Sequence, residues 1–166
     1  MFYLTNRDAN LKLGFEFLNN LPSDFDTARS NWEKWVPFVM NVSTPEKTIA
    51  ITEKMKAYMT VYEVEKIYNG IKNLLDSMAH EEDQLFRHYS YESIFEISVE
   101  YLHVDQCFEV VVWFILAEYP EGKIEGYNVG FRFIVDKLEI EHFVEDFYNN
   151  FKKVCLQCSI SKTDYF

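Results

Sequence analysis

Three successive runs in the second half of the chain alternate apolar and polar positions with period two. Phe95, Ile97, Val99 and Tyr101 alternate with Glu96, Ser98 and Glu100. Phe108, Val110, Val112 and Phe114 alternate with Glu109, Val111, Trp113 and Ile115, and Tyr127, Val129, Phe131 and Phe133 with Asn128, Gly130 and Arg132. Successive side chains of a strand point to opposite faces, so each run predicts a strand with one consistently apolar face. The same alternation near the start, Leu11, Leu13, Phe15 and Phe17 against Lys12, Gly14 and Glu16, predicts a strand onto which Phe2–Thr5 folds back through residues 6–10. After a polar loop over 19–30, residues 32–42 predict another strand. Pro37 within it cannot donate to a ladder and calls for an edge or bulge position. Residues 44–47 then turn the chain into 48–51.

Two stretches switch to the helical period. Thr60 and Glu63 form a capping box, in which the hydroxyl accepts from the third helical amide and the carboxylate reaches back to the cap. Val61, Val64, Ile67, Tyr68, Ile71, Leu74, Leu75 and Met78 follow at three- and four-residue spacing, predicting an amphipathic helix over 61–78. Asp136 caps a final helix with Glu139 at its third position and an apolar stripe of Ile140, Phe143, Val144, Phe147, Phe151 and Val154. This order predicts an α+β fold: an antiparallel β-sheet of meander hairpins with two amphipathic helices packed on one face. No repeat, low-complexity tract or linker divides the 166 residues. They are expected to form one domain over 1–154 with a tail over 155–166.

Charge narrows the possible partners. The net charge is −11. Residues 61–126 hold fourteen acidic against four basic side chains, while 1–60 hold seven of each and 127–166 six against five. Phosphate neutralisation needs a basic footprint that is missing, so direct nucleic-acid binding is not expected and a basic protein surface is the natural complement. No apolar run approaches the ~20 residues of a membrane span, and the N-terminus does not read as a secretory signal, so cytoplasmic residence is the expectation. Three cysteines, Cys107, Cys155 and Cys158, make no disulfide framework. Cys155 and Cys158 match C-x-x-C but lack the further ligands a zinc site needs and stand at the end of a helix, where the dipole does not lower a thiol pKa.

Candidate chemistry is sparse. Residues 78–88, MAHEEDQLFRH, supply two histidines and the acids Glu81, Glu82 and Asp83. His80 and His88 are eight apart, so no pair of imidazoles shares a helical face, and the alternating acids and central glycine of a calcium loop are missing. A helix-terminating acidic loop is the reading. His103 falls in a hairpin turn and His142 in the last helix, neither beside a nucleophile. No P-loop, nucleophile elbow or dinucleotide fingerprint occurs. No catalytic residue, metal or cofactor is therefore expected, and the chain is not read as an enzyme.

The outward face of the predicted hairpin is more informative. With residues 103–106 as its turn, Leu102 stands opposite Cys107, Glu100 opposite Glu109, Ser98 opposite Val111 and Glu96 opposite Trp113. Directly opposed like charges destabilise by up to ~1 kcal/mol, so Glu100 and Glu109 either await an incoming cation or are neutralised by Arg132 on the next strand. Val111, Trp113 and Ile115, ringed by Glu96, Glu100 and Glu109, make an apolar patch with an acidic rim, which fits an interface anchored by Trp113. The alternative is burial of this face under a loop or the N-terminal strands. Trp32 and Trp35 carry the same ambiguity.

The plan running from Tyr3-Leu-Thr-Asn and Leu11-Lys-Leu-Gly-Phe-Glu-Phe through the Trp-containing strand and the capped helix resembles the WapI-like immunity proteins of bacterial contact-dependent toxin systems. The strands that start at Phe95 and Phe108 and the closing helix are similar too, so the resemblance covers residues 1 to about 154. It implies a small bacterial protein that neutralises the toxic C-terminal domain of a cognate toxin, in that family typically an RNA-cleaving and often basic domain. Glu81, Glu82, Asp83, Glu96, Glu100 and Glu109 would then pair with the toxin's cations around Trp113. Two other classes stay open: a small-ligand-binding domain or enzyme with the aromatic sheet face as a pocket wall, and an oligomerising module.

Overall fold

The computed structural model describes residues 1–22, 25, 30–78, 84–118 and 125–161. Its strands are β1 (Phe2–Thr5), β2 (Lys12–Phe17), β3 (Trp35–Ser43), β4 (Thr48–Ile51), β5 (Tyr58–Thr60), β6 (Gln84–Tyr89), β7 (Phe95–Leu102), β8 (Cys107–Glu118) and β9 (Glu125–Val135). Its helices are α1 (Val61–Asp76) and α2 (Lys137–Ser161), and a 3-10 turn spans Glu53–Met55. The α+β class holds. The strands divide between two antiparallel sheets, a five-stranded one in the order β1-β2-β3-β4 with β5 also on β3, and a four-stranded meander β6-β7-β8-β9.

β3 explains how Pro37 is accommodated. Trp35, Val36 and Pro37 pair with β5, whereas Met40 to Ser43 pair with β4. Pro37 sits where the strand exchanges partners. Its missing N–H falls just outside the pairing with β2, which begins at Phe38, and its carbonyl accepts from Leu18 N at 2.8 Å.

The capping box forms as the spacing predicts. Thr60 Oγ1 accepts from Glu63 N at 3.1 Å and Glu63 Oε2 accepts from Thr60 N at 2.9 Å. Two other first-turn amides of α1 are met by carbonyls of the loop before β3: Val61 N donates to Lys34 O and Tyr62 N to Asn31 O. Val61, Val64, Ile67, Ile71, Leu74 and Leu75 are buried along the predicted stripe. On the second helix Ile140, Phe143, Val144, Phe147, Phe151 and Val154 are all buried, and the helix continues through Cys155 to Ser161.

Aromatic contacts tie the layers together. Phe147 of α2 meets Phe15 and Phe17 of β2 at centroid distances of 5.1 Å each, and Phe38 of β3 meets Phe95 of β7 edge-on at 5.7 Å, joining the sheets. Tyr68 and Tyr148 stack at 4.1 Å between the helices, beside the Lys72–Glu145 pair. α1 approaches β6 closely because Gly70 has no side chain: a Cβ there would lie 2.1 Å from the Phe86 ring.

β6 is one of two strands, with β5, that the alternation does not announce. Leu85, Arg87 and Tyr89 face out, and Phe86 and His88 face in. Its apolar residues therefore lie on both faces, and only pairing with β7 reveals the strand.

Candidate interaction surface

The register of the meander places the outward side chains in rows. Leu102 pairs with Cys107, Glu100 with Glu109, Ser98 with Val111 and Glu96 with Trp113, as the four-residue turn requires. With β6 and β9 added, one row reads Tyr89, Glu96, Trp113, Gly130, the next Arg87, Ser98, Val111, Arg132, and the third Leu85, Glu100, Glu109, Ile134.

Trp113 occupies this face because its neighbour is a glycine. A Cβ at Gly130 would come within 2.5 Å of the indole ring, so the ring lies across β9 in space that another residue would fill. Trp113 remains 40% exposed, Tyr89 55% and Leu85 54%. These are large apolar groups in solvent, which answers the question of burial for Trp113: it is not core.

The carboxylates have separate fates. Glu109 is nearly buried and is held by Arg132, whose Nε and Nη2 both donate to Glu109 Oε2. Glu96 pairs with Arg87 Nε at 3.2 Å. Glu100 makes no ion pair among the described residues. Of the two open outcomes for the cross-strand acids, Arg132 therefore neutralises Glu109 and leaves Glu100, whose charge it also feels at longer range, half-exposed and without an ion pair among the described residues. Glu81, Glu82 and Asp83 lie outside the described residues. No group of His, Cys, Asp and Glu suited to a metal ion occurs among the described residues, and no described helix is long and apolar enough to cross a membrane. Cys107 is buried, and burial raises its thiol pKa.

No family model and no curated protein matches the chain. Among solved structures, the crystal structure of WHY3 from Arabidopsis thaliana is similar over 98% of this chain and 94% of that one, at 10% sequence identity and a TM-score of 0.43.

Two side-chain groupings escape the sequence pattern. Glu63, beyond its capping role, is buried and uses its second oxygen Oε1 to accept from Tyr91 N at 2.8 Å, with His88 Nε2 3.4 Å away. Burial opposes the Glu63 carboxylate, but the contacts from His88, Thr60 and Tyr91 outweigh it and hold the group below the ordinary carboxylate range. The capping box is the only legible sign of this cluster. Above it, Trp32 stacks on Tyr62 at 3.8 Å and on Tyr91 at 5.2 Å, uniting the loop before β3, the start of α1 and the turn after β6. Trp32 thus precedes the strand in which the alternation had placed it.

Proposed function

We propose that this chain is an immunity protein that binds the toxic C-terminal domain of a cognate bacterial toxin, a basic nuclease, and neutralises it by occlusion. The observation that carries this reading is the outward face of the meander, where Trp113 and Tyr89 reach solvent in one row with Glu96 between them and Glu100 makes no ion pair among the described residues. An aromatic anchor beside a half-exposed carboxylate without an ion pair suits a partner that brings both apolar area and a cation. The acidic bias of residues 61–126 supplies attraction at longer range and a faster encounter. The resemblance to WapI-like immunity proteins supports the same class of partner and a cytoplasmic site of action. The partner's Lys or Arg pairs with Glu100, and its apolar groups cover Trp113. Glu96 and Glu109, already held by Arg87 and Arg132, set the register of contact rather than its strength. Glu81, Glu82 and Asp83 are the further acids assigned to the partner by this reading.

Calorimetry against the toxin C-terminal domain encoded immediately upstream, at low and high salt, tests the proposal. Tight binding that weakens with salt is expected. Absence of binding at micromolar concentration overturns it.

A further inference from the structure

β6 is the rim of the meander, paired with β7 on one side and with no strand on the other. Ser90 N donates to Phe95 O at 3.0 Å and continues the β6–β7 register, so the even-numbered residues of β6 turn their backbone groups toward β7. The N–H and C=O of Leu85, Arg87 and Tyr89 therefore point away from the sheet. Helix α1 runs back along this edge. Its first turn holds Tyr91 N through Glu63 Oε1 at 2.8 Å, and Gly70 meets the Phe86 ring. Further on, Asn73, Leu74 and Ser77 face β6 across a cleft of about 310 Å³ that is also lined by Leu85 and Phe86. Leu85 lies on the outer face of the strand and Phe86 on the inner, so a cleft that touches both opens at the strand's edge. Edge strands are ordinarily guarded by charge, proline or a bulge. The one formal charge of β6, Arg87, is already held by Glu96.

We propose that a short extended segment of the toxin domain adds to this edge as a further strand, pairing with the backbone of Leu85 and Arg87 and directing a Lys or Arg toward Glu100. This rests on the immunity reading and specifies how the partner is held. A row of unpaired donors and acceptors at two-residue spacing matches an extended backbone. Charge makes the segment basic. Glu100 faces Leu85 across the β6–β7 pairing and makes no ion pair among the described residues. A residue added opposite Leu85 stands two strand spacings from it, about 10 Å, within the joint reach of a lysine and a glutamate. The C-terminal end of α1 adds to the attraction, with Asp76 as its last residue and no basic side chain in its last turn to offset the dipole.

The test is amide hydrogen exchange, read by NMR on the chain alone and in complex with the toxin C-terminal domain encoded immediately upstream. In the chain alone, the amides of Leu85 and Arg87 are expected to exchange about tenfold or more faster than those of Phe86 and His88, which β7 holds. In the complex they slow by at least about tenfold. Arg87→Pro removes the outward donor and leaves the ladder to β7 intact. It is expected to bind the toxin domain about tenfold more weakly than Arg87→Ala, which lacks the same side chain. Binding without protection at Leu85 and Arg87, or equal affinity in the two variants, overturns strand addition while the immunity reading stands. No binding overturns both. Protection that grows with concentration of the chain alone assigns the edge to a second copy and likewise overturns the proposal.

Discussion

Glu63 Oε1 and His88 Nε2 stand 3.4 Å apart with neither side chain reaching solvent, and this contact links the start of α1 to β6 of the second sheet. Neither ring nitrogen of His88 makes a hydrogen bond among the described residues, so the imidazole meets Glu63 as a close polar contact. Glu63→Ala removes the acceptor for Thr60 N and Tyr91 N and leaves His88 without its carboxylate. We expect a loss of about 1–3 kcal/mol in urea unfolding for each buried amide left without its acceptor. Glu63→Gln keeps the shape and the capping geometry and should lose less than Glu63→Ala.

The same cluster predicts acid sensitivity of a definite sign. The folded-state pKa of Glu63 is depressed, so its contribution is fully present above the unfolded carboxylate value of about 4.3 and is lost as pH falls through the lower folded value. Glu92, pushed upward by burial, acts in the opposite direction. The difference in unfolding free energy between wild type and Glu63→Gln should therefore shrink below about pH 4. A constant difference down to pH 2 would argue against the pairing.

Gly70→Ala sets two effects against each other. Alanine favours a helix over glycine by about 1 kcal/mol, yet its Cβ would lie 2.1 Å from the buried side of the Phe86 ring. Overpacking of about 1–3 kcal/mol should win, so the variant unfolds at lower urea despite its better helix propensity. Stabilisation would mean that Phe86 moves aside freely.

Glu100→Lys should separate stability from binding. Replacing one member of the Glu100/Glu109 cross-strand pair removes a like-charge contact and stabilises the hairpin by a few tenths to about 1 kcal/mol. The same change should weaken binding of a basic toxin domain and reduce its salt dependence. Parallel urea unfolding and calorimetry decide, with weaker binding in a less stable protein counting against the assignment.

Trp113→Ala should leave unfolding close to wild type, because the ring is 40% exposed, while toxin binding falls by about 2 kcal/mol or more. Gly130→Ala reaches the same site from the other strand by lifting the indole off β9, and a shift in tryptophan emission reports it. Unchanged affinity in both variants would remove Trp113 from the interface.

Much of this architecture is local and so legible in the residues. The alternation over β7, β8 and β9, the register set by the turn after Leu102, the Thr60–Glu63 capping box and the apolar stripes of both helices depend on neighbours a few positions away. The side chains of Glu100, Trp113 and Glu109 share a face for the same reason. Other features arise only when distant segments meet. Division of the strands between two sheets depends on which hairpins pair further, as when β3 takes β5 on one part of its length and β4 on another. β6 has apolar residues on both faces, so period two gave no warning of it. Arg132 closing on Glu109, Trp113 resting on Gly130, and His88 facing Glu63 across 25 positions are cross-element contacts that no window of the chain contains. The sequence by itself determined the elements and their faces, because hydrophobic periodicity is a short-range property. Which charges are already satisfied, and which remain for a partner, was decided only by tertiary packing, because electrostatic pairing depends on distances that the fold alone creates.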